Sequence, residues 1–110
     1  MSLEATLDVE VGDVVTFTFT IENTGTEPVE LTFSSGKRTD VVVRDTDTDE
    51  VVWRWSDGRM FTQALETVTF PPGEHIEQTH VWETPEPGEY VAIATLEGDI
   101  DVEARATLSI

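Results

Sequence analysis

Apolar and polar residues alternate with a period of two over much of this chain. Leu3, Ala5, Leu7 and Val9 share one face; after Gly12-Asp13 so do Val15, Phe17, Phe19 and Ile21, with Thr16, Thr18, Thr20 and Glu22 opposite. That pattern predicts antiparallel strands, each covering a core with one face. Asn23-Thr24-Gly25-Thr26-Glu27-Pro28 reads as a turn, with Val29, Leu31 and Phe33 as the inward set of the next strand. Val41-Val42-Val43 and Val51-Val52-Trp53 are strand-like runs separated by Asp45-Thr46-Asp47-Thr48-Asp49-Glu50, a hairpin pattern. Further strands are expected over 66–70, 76–82, 90–96 and 100–110, punctuated by Pro71-Pro72-Gly73, Pro85-Glu86-Pro87-Gly88 and Glu97-Gly98-Asp99. The last of these keeps Ile100, Val102, Ala104, Ala106, Leu108 and Ile110 in one phase, as a long buried seam would.

About eight short strands at this spacing predict an all-β, immunoglobulin-like antiparallel β-sandwich. Tyr90, placed after Pro87-Gly88-Glu89 at the start of an alternating strand, suits the tyrosine that such sandwiches hydrogen-bond to an upstream backbone group. The length of 110 residues is that of one domain, taken as 1–110.

Composition narrows the partners. Hydrophobic residues make up 38% and charged residues 26% of the chain, enough apolar material to fold. The formal net charge of -17 opposes nucleic acid and anionic lipid, whose recognition draws on clustered Lys and Arg. Self-repulsion on that scale favours a salty environment, and the single Lys with abundant Thr, Val, Asp and Glu resembles the proteins of salt-accumulating archaea. The acidity is read as solvation of the surface. With no cysteine there is neither disulfide nor thiol chemistry, and the opening Met1-Ser2-Leu3-Glu4-Ala5 lacks the basic and apolar regions of a secretion signal. A soluble, cytoplasmic protein is expected.

The residues bear on several chemistries. The alternate carboxylates Asp45, Asp47 and Asp49 suggest a calcium loop, but Glu50 stands where a helix-loop-helix site needs Gly and Ser56 where it needs a bidentate Glu. A solvated hairpin tip is the better reading. His75 and His80, five residues apart, fall on opposite faces of a regular strand and do not share a metal; a surface His75 and a partly packed His80 are expected. Ser56 lacks the Gly two residues earlier that a nucleophile elbow requires, and no Gly-rich phosphate loop occurs. The expectation is a non-enzyme with no catalytic residue, metal or cofactor.

One region departs from the acidic background. Lys37, Arg38, Arg44, Arg54 and Arg59 leave only Arg105 as a basic residue elsewhere, and Trp53 and Trp55 lie in the same window. Asp57-Gly58 is a favoured two-residue turn, which predicts a hairpin over 53–65 with Ser56 opposite Arg59, Trp55 opposite Met60, Arg54 opposite Phe61 and Trp53 opposite Thr62. Such a hairpin would put Trp53, Trp55 and Met60 on one surface and pair Arg54 with the Phe61 ring. Its aromatics are expected to pack inward, leaving the tip Asp57, Gly58, Arg59 and Met60, with Phe61 as a further apolar candidate, for contact with a partner.

The sequence resembles the BsuPI-type intracellular proteinase inhibitor family. The matching elements are Phe17-x-Phe19, Asn23, Val29-x-Leu31-x-Phe33-x-Ser35-Gly36, Asp40, Trp53-x-Trp55-Ser56-x-Gly58-x-x-Phe61-x-Gln63-Ala64, Pro72-Gly73-Glu74, Trp82 and Pro87-Gly88-x-Tyr90. The resemblance implies an immunoglobulin-like sandwich that inhibits intracellular subtilisin-type serine proteinases. Those enzymes favour apolar side chains in their primary pocket, for which Met60 and Phe61 are the candidates, with Lys37 and Arg38 expected to aid the contact. The competing reading is a non-inhibitory binding or assembly module. An inhibitor of cysteine peptidases of the chagasin type fits poorly, because Asn23-Thr24-Gly25-Thr26 lacks that family's Pro after Asn and its paired Thr before Gly.

Overall fold

The structure, a computed structural model, describes residues 3–110. Among them are nine strands and no helix: β1 (Leu3–Val11), β2 (Val15–Asn23), β3 (Val29–Phe33), β4 (Thr39–Asp45), β5 (Val51–Arg54), β6 (Glu66–Phe70), β7 (His75–Trp82), β8 (Glu89–Leu96) and β9 (Glu103–Ser109). All pairings are antiparallel. They form a sheet in the order β1-β2-β7, a sheet in the order β5-β4-β8-β9, and the ribbon β3-β6.

The alternation does what the pattern requires. Val15, Phe17, Phe19 and Ile21 are buried along β2, and Tyr90, Ala92, Ala94 and Leu96 along β8. The two sheets meet through a ladder of rings: Trp53 stacks on Phe17 at 5.8 Å and on Trp82 at 5.9 Å, and Tyr90 meets Trp82 edge-on at 5.3 Å. The small residues of β8 leave room for these rings. Tyr90 Oη donates to Glu86 O at 2.8 Å, the corner bond expected of this fold. Asn23 acts as a buried hub at the end of β2, its Nδ2 donating to Glu27 O and Phe70 O and its Oδ1 accepting from Gly25 N.

Two elements differ from the sequence expectation. The last strand begins at Glu103 rather than Ile100, because the segment before it is engaged by β3: Asp99 N donates to Thr32 O, Thr32 N donates to Asp99 Oδ1, and Phe33 bridges Gly98.

The second difference is larger. The expected hairpin over 53–65 is absent: β5 ends at Arg54, the chain turns over 55–58, and 59–65 forms no strand. The turn itself exists, with Arg59 N donating to Ser56 O at 3.1 Å and Gly58 at φ 77°. Asp57, however, lacks the positive φ that a hairpin turn needs at its first central position, since Asp49 is the non-glycine residue that has one. Positive φ at the second position alone is the type II pattern, which splays the flanking arms. The first arm is also held by β4: Trp53 pairs with Val43, and Trp55 N donates to Val41 O. Arg54 therefore does not meet Phe61 across a ladder, and Met60 shares no face with Trp53.

Candidate functional site

The loop between β5 and β6 is held by a buried carboxylate. Asp40, only 1% exposed at the head of β4, accepts from Val41 N at 2.9 Å and Ser56 N at 3.1 Å through Oδ1, and from Ser56 Oγ at 2.6 Å through Oδ2. Lys37 Nζ approaches the same Oδ2 at 3.3 Å and also Glu97 at 3.4 Å. A carboxylate removed from water must have such partners, and here they fix the first residue of the turn.

The next brace is aromatic. Trp55 lies edge-on to His80 at 4.4 Å, carries the Phe61 ring at 5.8 Å, and has the Arg59 guanidinium over its face at 4.5 Å. Arg59 Nε also donates to Trp55 O at 2.8 Å, so Arg59 folds back over the turn. His80, 1% exposed, shares a 2.9 Å hydrogen bond between its Nε2 and Thr39 Oγ1, while its Nδ1 is buried without a partner. Burial holds the basicity of His80 below the ordinary histidine value; the nearby Asp40 opposes that shift and Arg59 adds to it. Burial thus disfavours the charged form of the imidazole that packs under Trp55. His75 is exposed at the start of β7, as expected.

The third brace lies beyond Phe61. Gly36 N donates to Thr62 O at 2.8 Å, and a Cβ at Gly36 would come within 2.6 Å of Thr62 Oγ1. Between these fixed points the five candidate residues divide. Asp57 and Gly58 are exposed at the turn, Arg59 is exposed but held, and Phe61 is half-buried on Trp55. Met60 is 97% exposed. An open groove of about 420 Å³ runs along Met60 and Phe61, with Ser35, Lys37, Ser56 and Gln63 on its walls. Arg38 stands further off, with its guanidinium on the Phe33 ring and 3.1 Å from Glu66.

The sequence pattern points to exposed residues of the loop but not to what holds them: Asp40 with Ser56, Thr39 with His80, and Gly36 with Thr62. Three of those six residues, Asp40, Ser56 and Gly36, are matching elements of the family pattern. Their pairing is not visible there, because each pair is distant along the chain.

The fold and this braced loop define an immunoglobulin-like β-sandwich with one surface segment held at Ser56, Phe61 and Thr62. A sequence model of the BsuPI family, described as an intracellular proteinase inhibitor, matches residues 3–99, and the chain belongs to that family. No curated protein matches it. Among solved structures it is similar to the CARDB domain of a Pyrococcus furiosus protein in complex with di-metal ions, with 18% identity, 98% of this chain and 86% of that one covered, and a TM-score of 0.55. A Bordetella pertussis protein described as ApaA matches with 20% identity, 99% and 95% coverage and a TM-score of 0.54. β-Glucosidase 3B from Thermotoga neapolitana, in complex with glucose, matches with 17% identity and a TM-score of 0.54; 98% of this chain is covered but it spans only 16% of that enzyme. At such identities these likenesses establish the fold alone.

Proposed function

We propose that this domain inhibits subtilisin-type serine proteinases inside the cell, seating Asp57–Phe61 in the substrate cleft with Met60 as the side chain offered to the primary pocket. The observation that carries this reading is Met60: a large apolar side chain at 97% exposure, on a segment braced before it at Ser56 and after it at Phe61 and Thr62. A rigid segment loses little conformational freedom on binding, and an exposed thioether gains from entering an apolar pocket. Burying a methionine side chain contributes roughly 1.5–3 kcal/mol. Loss of that contact corresponds to about a 10- to 100-fold weaker inhibition constant.

The test is titration of the protein, in concentrated salt, against an intracellular subtilisin and against a papain-like enzyme. Inhibition of the subtilisin alone is expected, with Met60→Ala weakening it by about 10- to 100-fold and the pair Met60→Asp, Arg59→Glu weakening it further. Unchanged inhibition by the double variant would move the contact elsewhere on the surface. Inhibition of neither enzyme would favour a non-inhibitory binding module.

A further inference from the structure

The loop does not end at the tip, and its second half has properties that the braces do not explain. Gln63, Ala64 and Leu65 are exposed, and Leu65 is 75% exposed although apolar. The backbone groups of Met60, Phe61, Gln63, Ala64 and Leu65 make no hydrogen bond within the described chain; of this stretch only Thr62 is tied, through its carbonyl to Gly36. At Glu66 the segment runs directly into β6, which has β3 on one side and, among the described residues, no strand on the other.

Unpaired backbone of this kind is normally guarded by charge or proline. Elsewhere the chain follows that rule. The outer strand β1 carries Glu4, Asp8 and Glu10, and β9 carries Glu103 and Arg105. From Met60 to Leu65 there is neither a charge nor a proline. In a protein with a net charge of -17, an uncharged, unpaired stretch with two large exposed apolar side chains is an open place for a strand to add. A second copy of the chain is a poor occupant, because it would bring the same excess of negative charge to the contact.

We infer that the target's contact continues past the tip along Gln63–Leu65, where the rim of its substrate cleft adds a backbone strand and Leu65 serves as a second apolar anchor. This rests on the inhibitory reading of the loop and names how the target holds it. Hydrogen bonds to the backbone supply affinity with little dependence on side chains, while Met60 and Leu65 supply selectivity.

Amide hydrogen exchange of the intact protein, free and in complex with the inhibited subtilisin, tests the idea directly. The amides of Gln63, Ala64 and Leu65 have no internal acceptor and exchange quickly in the free protein; binding slows them by an order of magnitude or more. In parallel, Leu65→Asp raises the inhibition constant by about 10-fold or more, whereas Val11→Asp, the same kind of change at an exposed valine of β1, leaves it unchanged. If the protein inhibits and Met60→Asp abolishes this, yet the 63–65 amides stay unprotected and Leu65→Asp behaves like Val11→Asp, the second contact is wrong and the tip stands. If the protein inhibits no proteinase, both readings fall together. The exchange measurement uses the unaltered chain, so it remains informative should Leu65→Asp disturb the fold.

Discussion

Asp40 carries more of this loop than any residue on its surface. Buried beside Ser56, it accepts two amide protons and a hydroxyl proton and lies against the Lys37 ammonium. Alanine at this position would strand the Val41 and Ser56 amides and the Ser56 hydroxyl away from a partner, which costs roughly 2–4 kcal/mol in total. Asparagine keeps an acceptor for the two amides and loses the ion pair, so a smaller loss is expected. Denaturant midpoints should rank wild type above Asp40→Asn above Asp40→Ala, and the bonds of 57–61 should become easier to cleave in the same order. A midpoint for Asp40→Ala equal to wild type would show that the carboxylate is incidental. The sequence showed Asp40 as one residue of a family pattern and nothing of its task, because Ser56 lies sixteen residues away and no periodicity links the two.

Strands were legible where side chains alternate, and the larger of the two departures, the absent 53–65 hairpin, came from a turn. The buried sets of β2, β3 and β8 follow from period two, and the Tyr90 corner from its place after Pro87-Gly88. Asp57-Gly58 has the composition of a hairpin turn, but composition does not fix the φ of Asp57, and without positive φ there the turn is not of the hairpin kind and the 59–65 arm has no partner strand. What shapes that arm instead is Gly36, in a different loop. A methyl group there would collide with Thr62 Oγ1, so Gly36→Ala must turn the Thr62 side chain or displace the segment. Gly36→Ala is expected to speed proteolysis of 59–65 several-fold with little change in global stability. Removing the hydroxyl as well, in Gly36→Ala with Thr62→Ala, should restore the resistance, a coupling that a double-mutant cycle measures. Equal cleavage in all variants would mean that the brace lies elsewhere.

At the scale of the whole molecule the acidic surface is the largest unbalanced term. Few carboxylates have cationic neighbours: among the described residues the ion pairs are those of Lys37, Arg38, Arg44 and Arg105. The β1-β2 register even sets Glu4 directly opposite Glu22, both exposed, where like charges are destabilising. Screening should relieve this, because the Debye length falls from ~10 Å at ~0.1 M salt to ~3 Å at ~1 M. The unfolding midpoint is therefore expected to rise steeply with potassium chloride at low concentration and to flatten as the Debye length drops below the spacing of the charges. Glu22→Lys turns one repulsive pair into an attractive one and should stabilise the protein by roughly 0.5–1 kcal/mol in dilute salt. That gain should shrink toward zero in molar salt, which separates screening from a general salting-out of apolar surface. A midpoint that climbs equally for wild type and Glu22→Lys throughout the range would assign the salt effect to hydrophobic burial and leave the acidic shell as solvation alone.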